Sequence, residues 1–218
     1  MATVRVFLAS LLLVAAAVAA ARAGVLDRAR DTGELRVGFR ADAQPFSFAD
    51  GQGGARGYSV DLCREVAREA AAAVGRPELR LVEVEVTAAD RLDAVPAGRV
   101  DLLCEATSVS LGRRERVDFT LPTFATGATL LYPAEGPTSF EELAGKKVGV
   151  LDGSTTETGL AKGLEEAAIG AELVTVASHD EGIERLASGE LAAYFGDGAI
   201  LLYHLVQSPF RDRLRLSD

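Results

Sequence analysis

The first half of the chain alternates between the period-two pattern of strands and the apolar spacing of helices. An alanine-rich helical segment lies between two strand patterns, which is the order of a β-α-β unit. The predicted elements are a strand at 35–39, a helix at 59–74, a strand at 79–86, a helix at 88–97, a strand at 99–104 and an extended segment at 119–124. Together they predict a first α/β lobe.

The same kinds of pattern begin again after residue 125. The predicted elements are a strand at 128–132, a short turn at 141–143, a strand at 147–151, a helix at 155–168, a strand at 173–176, a helix at 180–188, a strand at 192–195 and a helix at 198–206. These patterns predict an α/β fold of two lobes, residues 24–127 and 128–218. Clefts between domains are preferred sites for small ligands, so we expect a ligand between the lobes.

The first 23 residues have the pattern of a secretory signal peptide. Arg5 supplies a positive charge, a run of Leu, Val and Ala follows, and Ala21-Arg22-Ala23 fits the small-x-small cleavage rule. A membrane anchor is the alternative, but the apolar stretch is about 16 residues long and a bilayer span needs roughly 20. We therefore expect the chain from Gly24 onwards to be exported.

Composition and charge narrow the classes of function. The 218 residues are 48% hydrophobic and 25% charged, an ordinary globular balance that excludes a disordered or collagen-like chain. Asp and Glu outnumber Lys and Arg by 32 to 23, and no run of basic residues forms a patch. The net charge of -9 repels a polyanion, so we expect no nucleic-acid partner.

The cysteines and histidines bear on redox state and metal binding. An oxidising compartment favours a disulfide between Cys63 and Cys104, and two buried free thiols are the alternative. Two Cys and two His without metal-ligand spacing make a metal site unexpected. The sequence also lacks a nucleophile elbow, a phosphate-binding loop and a His-Glu-x-x-His motif, and no cofactor is expected.

One segment has the character of an anion site. Asp152-Gly153-Ser154-Thr155-Thr156 follows a strand pattern and opens a helix pattern. Its hydroxyl and backbone N–H groups could hold a carboxylate or a phosphate. A simple N-cap is the alternative, because Ser and Thr are common before a helix for that reason alone.

A series of short motifs carries a resemblance to a known family. They are Leu35-Arg36-Val37-Gly38, Pro45-Phe46-Ser47-Phe48, Gly57-Tyr58-Ser59-Val60-Asp61-Leu62, Gly98-Arg99-Val100-Asp101-Leu102, Asp118-Phe119-Thr120 after Arg113, Leu143-Ala144-Gly145-Lys146-Lys147-Val148-Gly149-Val150 and Gly153-Ser154-Thr155. In this order and spacing, the chain resembles the extracellular solute-binding proteins of family 3, periplasmic receptors that deliver polar amino acids to ABC importers. The resemblance implies a two-lobed periplasmic-binding-protein fold of type II. Family members continue for several tens of residues past Leu216, so we expect the C-terminal return to the first lobe to be missing.

The resemblance also implies a set of ligand residues. Arg113 matches the arginine that holds the ligand α-carboxylate, a task suited to its planar fork. Ser108, Ser154 and Thr155 match hydroxyl or N–H groups around the same carboxylate, and Asp197 matches the partner of the α-ammonium. The alternatives are a solvated charged turn for Arg113 and a helix N-cap for Asp197.

Within the family, the chain is most similar to the glutamate/aspartate receptors. Arg40, Arg91 and His179 match the cationic positions of that subgroup, which implies contacts with a side-chain carboxylate. Taken singly, each has an ordinary alternative: a strand-end surface charge, a helix-face partner for nearby acids and a helix-start histidine. The sequence has Ala88 and Ala106 where the acidic-ligand receptors have hydroxyl residues, and Glu105 where a Gly is usual. Ala43 stands where relatives that bind basic amino acids have a stacking aromatic, which weakens the case for a basic ligand.

These matches lead to one expected function and one alternative. We expect a periplasmic monomer that binds a polar L-amino acid, with an acidic side chain favoured, and hands it to the membrane permease of an ABC importer. Glu105 argues against an acidic ligand unless it turns away or pairs with an arginine. The alternative is an enzyme resembling the cyclohexadienyl dehydratases on the same scaffold, with a carboxyl group such as Glu105 as general acid.

Overall fold

The computed structural model describes residues 24–217. They belong to two compact units: one contains the described residues up to Leu35 with Arg64–Val82, and the other contains Arg36–Cys63 with the chain from Glu83 onwards. The predicted signal peptide lies outside the described residues, and the division at residue 127 stays a prediction. Within residues 24–217 no helix is long and apolar enough to cross a membrane.

The first part of the chain consists of short strands and helices, and one of the helices is long. In chain order the elements are α1 (Val25–Thr32), β1 (Glu34–Phe39), β2 (Asp42–Ala43), β3 (Ser47–Ala49), β4 (Ala55–Arg56), α2 (Tyr58–Val74), β5 (Arg80–Glu85), α3 (Arg91–Ala94), β6 (Leu102–Leu103) and α4 (Leu111–Arg114). Strand order in the main sheet is β5-β1-β6. Strands β1 and β6 run parallel, with Val37 opposite Leu102 and Gly38 opposite Leu103. The carboxyl ends of β1 and β6 therefore lie at one edge, where Arg40 and Glu105 follow.

A second, antiparallel sheet has the order β2-β3-β4. Asp42 pairs with Phe48, and Phe48 pairs with Arg56. Phe46, between β2 and β3, packs with Ala43 and with Ile200 from a later helix. This small sheet places Asp42 next to the end of β1.

The rest of the chain forms a larger α/β layer. Its elements are β7 (Ala128–Pro133), a 3-10 turn (Glu141–Leu143), β8 (Lys147–Leu151), α5 (Thr155–Glu166), β9 (Glu172–Val176), α6 (His179–Ala187), β10 (Ala193–Asp197), α7 (Gly198–Gln207), a second 3-10 turn (Arg211–Arg213) and β11 (Leu214–Leu216). The sheet order is β11-β7-β10-β8-β9. Strands β10, β8 and β9 are parallel, and β7 is antiparallel to both β10 and β11. The mixed α/β architecture agrees with the predicted fold class.

Alternating side chains of β7 supply both faces of this sheet. Leu130 and Tyr132 pack in one apolar cluster with Leu160 of α5, whereas Leu131 packs in another with Leu186 of α6. This follows from the period of two along a strand. A sheet covered by helices on both faces needs apolar residues at nearly every position, which explains the continuous apolar runs in the sequence.

Two predicted elements of the first half are wrong in extent. The helix at 88–97 is a single regular turn, Arg91–Ala94, because Pro96 has no N–H and interrupts the helical hydrogen bonds. The strand at 99–104 shrinks to Leu102–Leu103, since the N–H groups of Arg99 and Val100 donate back to Ala94.

Candidate functional site

The candidate residues follow strand ends or open helices, where ligands of open α/β sheets commonly bind. They are Arg40 after β1, Arg91 at the start of α3, Ser108 after β6, Arg113 in α4, Ser154 and Thr155 before and at the start of α5, His179 at the start of α6 and Asp197 at the end of β10. Five of these candidates belong to two contact groups, each of which also contains neighbouring residues that were not candidates. The buried cluster consists of Arg40, Asp42, Arg91 and Glu105, and the open group consists of Ser108, Arg113, Gly153 and Thr155.

Arg40 is paired inside the buried cluster. Its side chain is 3% exposed, and Nε and Nη2 donate to Oδ1 of Asp42 at 3.0 and 2.6 Å. The backbone N–H of Arg40 donates to Ser47 Oγ at 2.9 Å. A charge-assisted pair of this kind balances the arginine before any ligand is present.

His179 lies beside this pair and is a neutral imidazole. Its backbone N–H donates to Oδ2 of Asp42 at 3.1 Å, and Nδ1 lies 3.0 Å from Tyr194 Oη. Burial, with help from the charge of Arg40, lowers the pKa of His179 to about 3. At neutral pH, His179 therefore offers a ligand a hydrogen bond rather than a positive charge.

Arg91 and Glu105 form the second pair of the buried cluster. Their side chains are 3% and 0% exposed, and Arg91 Nε lies 3.4 Å from Oε1 of Glu105 and donates to Thr107 Oγ1 at 2.9 Å. Burial raises the pKa of Glu105, and the charge of Arg91 only partly opposes that rise. Within the described part of the chain, Arg91 Nη1 and both Glu105 oxygens have no hydrogen-bond partner.

Arg113 is held differently, by backbone carbonyls. Nη1 donates to the carbonyl of Ser108 at 2.9 Å, and Nη2 donates to that of Gly153 at 3.2 Å. Its guanidinium makes no ion pair among residues 24–217. Thr155 Oγ1 donates to Ser108 Oγ at 3.2 Å, so two contacts join the segment after β6 to the turn before α5. Gly153 has φ +65°, a conformation that favours glycine in this turn.

Ser154 and Asp197 are N-caps of α5 and α7. Ser154 Oγ accepts from the backbone N–H of Glu157 at 3.0 Å and donates to the carbonyl of Leu151 at 2.6 Å. Asp197 accepts from Ala199 N–H at 3.0 Å, and burial raises its pKa. The sequence offered an N-cap as the alternative role at both positions, and in the structure both Ser154 and Asp197 cap a helix. Asp197 makes no ion pair within the described residues.

The sequence analysis missed several partners of these residues. Asp42 stands two positions after Arg40, and this charge pairing could have been found from spacing. Thr107, Gly153 and Tyr194 could not, because their contacts join segments distant in the chain and one uses a backbone oxygen. The predicted disulfide between Cys63 and Cys104 is confirmed, with the two Cα atoms 6.0 Å apart. The described residues contain no cluster of metal-ligating side chains.

Comparison with known proteins identifies the family. Residues 35–200 match the bacterial extracellular solute-binding proteins, family 3. The chain belongs to this family. The match covers β1 to the first turn of α7 and so includes every residue of the buried cluster and the open group.

Relatives in this family are named for binding amino acids. The chain is 30% identical over 184 residues to the glutamate/aspartate import solute-binding protein of Salmonella typhimurium. The aligned region covers 84% of this chain and 61% of the relative. The chain is 31% identical over 192 residues to the L-glutamate/L-aspartate-binding protein of Pseudomonas aeruginosa, with coverage of 87% and 64%. The chain thus spans about three-fifths of the length of these curated relatives. Both are named as binding proteins rather than enzymes, as expected.

A similar solved structure supports the fold. The ancestral amino acid-binding protein AncCDT-1, described as a precursor of cyclohexadienyl dehydratase, is 27% identical to the chain with a TM-score of 0.74. The similarity covers 88% of this chain and 80% of that structure. The type II periplasmic-binding-protein fold implied by the sequence resemblance is therefore confirmed.

Proposed function

We propose that this protein binds a polar L-amino acid in the periplasm and delivers it to the membrane permease of an ABC importer. The observation that carries the proposal is which charged side chains of the site form ion pairs and which do not. Arg40 and Arg91 are balanced by carboxylates of the chain, whereas Arg113 and Asp197 make no ion pair among the described residues. An α-amino acid brings one carboxylate and one ammonium, the two charges that would complete them.

Arg113 suits the α-carboxylate because it already lies among hydroxyl and N–H donors. Its guanidinium touches Gly153, which precedes the N-terminus of α5, and Thr155 and Ser108 bring hydroxyl groups to the same place. A helix N-terminus and a guanidinium both favour a carboxylate. Asp197 then serves the α-ammonium while it caps α7.

The side chain of the ligand is proposed to be acidic. Arg40, Arg91 and His179 are the residues proposed to face it, and the two curated relatives described above are named for glutamate and aspartate. The carboxylates of Asp42 and Glu105 lie in the same cluster, so the acidic ligand enters an electrically balanced environment rather than a purely cationic one.

A ligand screen by thermal shift tests the proposal. The purified protein is melted with each of the twenty L-amino acids, with D-glutamate and D-aspartate as stereochemical controls. A ligand at a hundredfold excess over its Kd stabilises the protein by about 2.7 kcal/mol, so glutamate or aspartate should raise the Tm by several degrees. A response only to basic amino acids would reject the acidic ligand, and no response to any amino acid would reject binding itself.

Buried Glu105 also favours a second candidate function. A carboxyl group with a raised pKa suits a general acid, and the structural relative AncCDT-1 is described as a precursor of a dehydratase. Incubating the protein with prephenate or arogenate and measuring the aromatic product separates the two candidates. Product formation that Glu105→Gln abolishes would establish the enzyme. Amino-acid binding without product favours a binding protein over an enzyme.

The cellular context is proposed with the same function. Fractionation of cells that express the chain should place the protein in the periplasmic fraction, and light scattering should give the mass of a monomer. Retention in the membrane pellet would contradict release into the periplasm, and a larger mass would contradict the monomer.

A further inference from the structure

The pair formed by Arg91 and Glu105 has unfilled hydrogen-bonding capacity of both kinds. Arg91 Nη1 is a buried donor without an acceptor, and both oxygens of Glu105 are buried acceptors without a donor, within residues 24–217. An unsatisfied buried polar atom costs about 1 to 3 kcal/mol, more when it is charged. Such orphan groups call for a physical explanation.

The charges around Glu105 come from four places in the chain. Arg91 opens α3 and lies at 3.4 Å, Arg40 and Asp42 come from the end of β1 and from β2, and Arg113 comes from α4. The three arginines favour an ionised Glu105, while Asp42 and burial oppose ionisation. Burial has the largest of these influences on the pKa of Glu105. A further negative charge beside Glu105 raises that pKa again and so favours the protonated form.

We infer that Arg91 and Glu105 together recognise a ligand side chain that offers one hydrogen-bond acceptor and one hydrogen-bond donor. An acidic side chain binds there with one proton held by Glu105. A side-chain amide fits the pair unaided, since its oxygen accepts from Arg91 and its NH2 group donates to Glu105. A side-chain carboxylate supplies only acceptors. Glu105 must then take up a proton from solvent, keep it, and donate a hydrogen bond from its O–H to the ligand carboxylate.

This inference rests on the proposed function and names Glu105 as its specificity residue. The orphan atoms are shielded from solvent, so the side chains of the buried cluster must part around the ligand. The cost of bringing a carboxylate beside Glu105 rises with pH, because the proton becomes harder to supply. Amide ligands carry no such cost.

Calorimetry of the purified protein in two buffers of different ionisation enthalpy measures the proton directly. Glutamate and glutamine are titrated at several pH values from about 6 to about 8, where the α-ammonium groups of both ligands stay protonated, into wild type and into Glu105→Gln. At the upper end we expect wild type to take up about one proton with glutamate and none with glutamine. The Kd for glutamate should rise by up to about tenfold per pH unit once Glu105 is ionised in the free protein. Glu105→Gln should show neither effect.

The outcomes separate the inference from the function on which it rests. Glutamate binding without proton uptake at any pH, or with equal uptake in Glu105→Gln, overturns the inference and leaves amino-acid binding intact. Glu105→Ala repeats the comparison if the glutamine variant melts at a lower temperature. Binding of neither glutamate nor glutamine to wild type or variants overturns the inference together with the acidic ligand of the proposed function.

Discussion

The buried cluster and the open group hold their arginines in opposite ways. Arg40 and Arg91 are almost wholly shielded from solvent, and each lies against a carboxylate of the chain itself. Arg113 is partly exposed, and among residues 24–217 its guanidinium donates to the carbonyl oxygens of Ser108 and Gly153. The two regions are neighbours, since Arg91 Nη2 lies 3.5 Å from the same Gly153 oxygen.

This difference follows from the cost of burying charge. A buried ion must be paired, and removing one partner leaves the other uncompensated at a cost of several kcal/mol. A partly exposed arginine that donates to carbonyl oxygens keeps its full charge, because water still solvates the guanidinium. Under the proposed function, the paired arginines select the ligand side chain, and the unpaired one attracts the α-carboxylate that all amino acids share.

The largest expected effect comes from breaking the buried pair. Arg91→Leu should lower the free energy of unfolding by about 3 to 5 kcal/mol, because Glu105 stays buried without its cation. Urea denaturation monitored by circular dichroism measures the loss. The double variant Arg91→Leu/Glu105→Leu should recover most of it, since two apolar side chains can replace a buried pair. A double variant as unstable as the single one would show that the charge pairing is not what matters.

The next largest effect is on affinity in the open group. Arg113→Ala should weaken every amino-acid ligand by about 2 to 4 kcal/mol, because the shared α-carboxylate loses its partner. Stability without ligand should change by no more than about 0.5 kcal/mol, as expected of a partly exposed side chain. Calorimetry and urea denaturation measure the two quantities. Arg114→Ala, which removes an exposed arginine at the next position, is the matched control. Equal weakening of binding in Arg114→Ala would show that the loss reflects the general positive charge of the region and not a contact of Arg113.

The two regions also differ in how far the sequence predicts them. Positions of the arginines follow from strand ends and motif spacing, and strand β8 was predicted at its observed bounds, Lys147–Leu151, because a buried parallel strand is a continuous apolar run. The two-residue and three-residue strands β2 to β4 have too few positions to show a period, so the placement of Asp42 against Arg40 was missed. Gly153 lies 40 residues from Arg113, and its role as acceptor depends on tertiary packing alone.

A smaller effect is expected on discrimination between ligands. Arg40→Ala should weaken glutamate and aspartate by about 1 to 2 kcal/mol more than glutamine and asparagine, whose neutral amides lose less from removal of a cation. The difference is modest because Asp42 already balances Arg40. Calorimetry with four ligands measures it. Asp42→Asn is the matched control and should shift preference the opposite way; equal losses of all four ligands in Arg40→Ala would remove Arg40 from the specificity residues.

The smallest effect concerns His179, which borders the buried cluster. Its folded-state pKa of about 3 lies below the ordinary value of 6.5, so below about pH 6.5 the unfolded chain binds a proton that the folded protein does not. Stability is therefore fully present above that pH and is lost on acidification, by no more than about 1.4 kcal/mol per pH unit from this group. Urea denaturation between about pH 7 and about pH 5.5 should give wild type a steeper loss than His179→Gln, by about 1 kcal/mol over the range. Gln keeps a side-chain acceptor for Tyr194 and does not titrate. Identical slopes in the two proteins would mean that His179 takes up a proton in the folded state, which would make it a cation for the ligand after all.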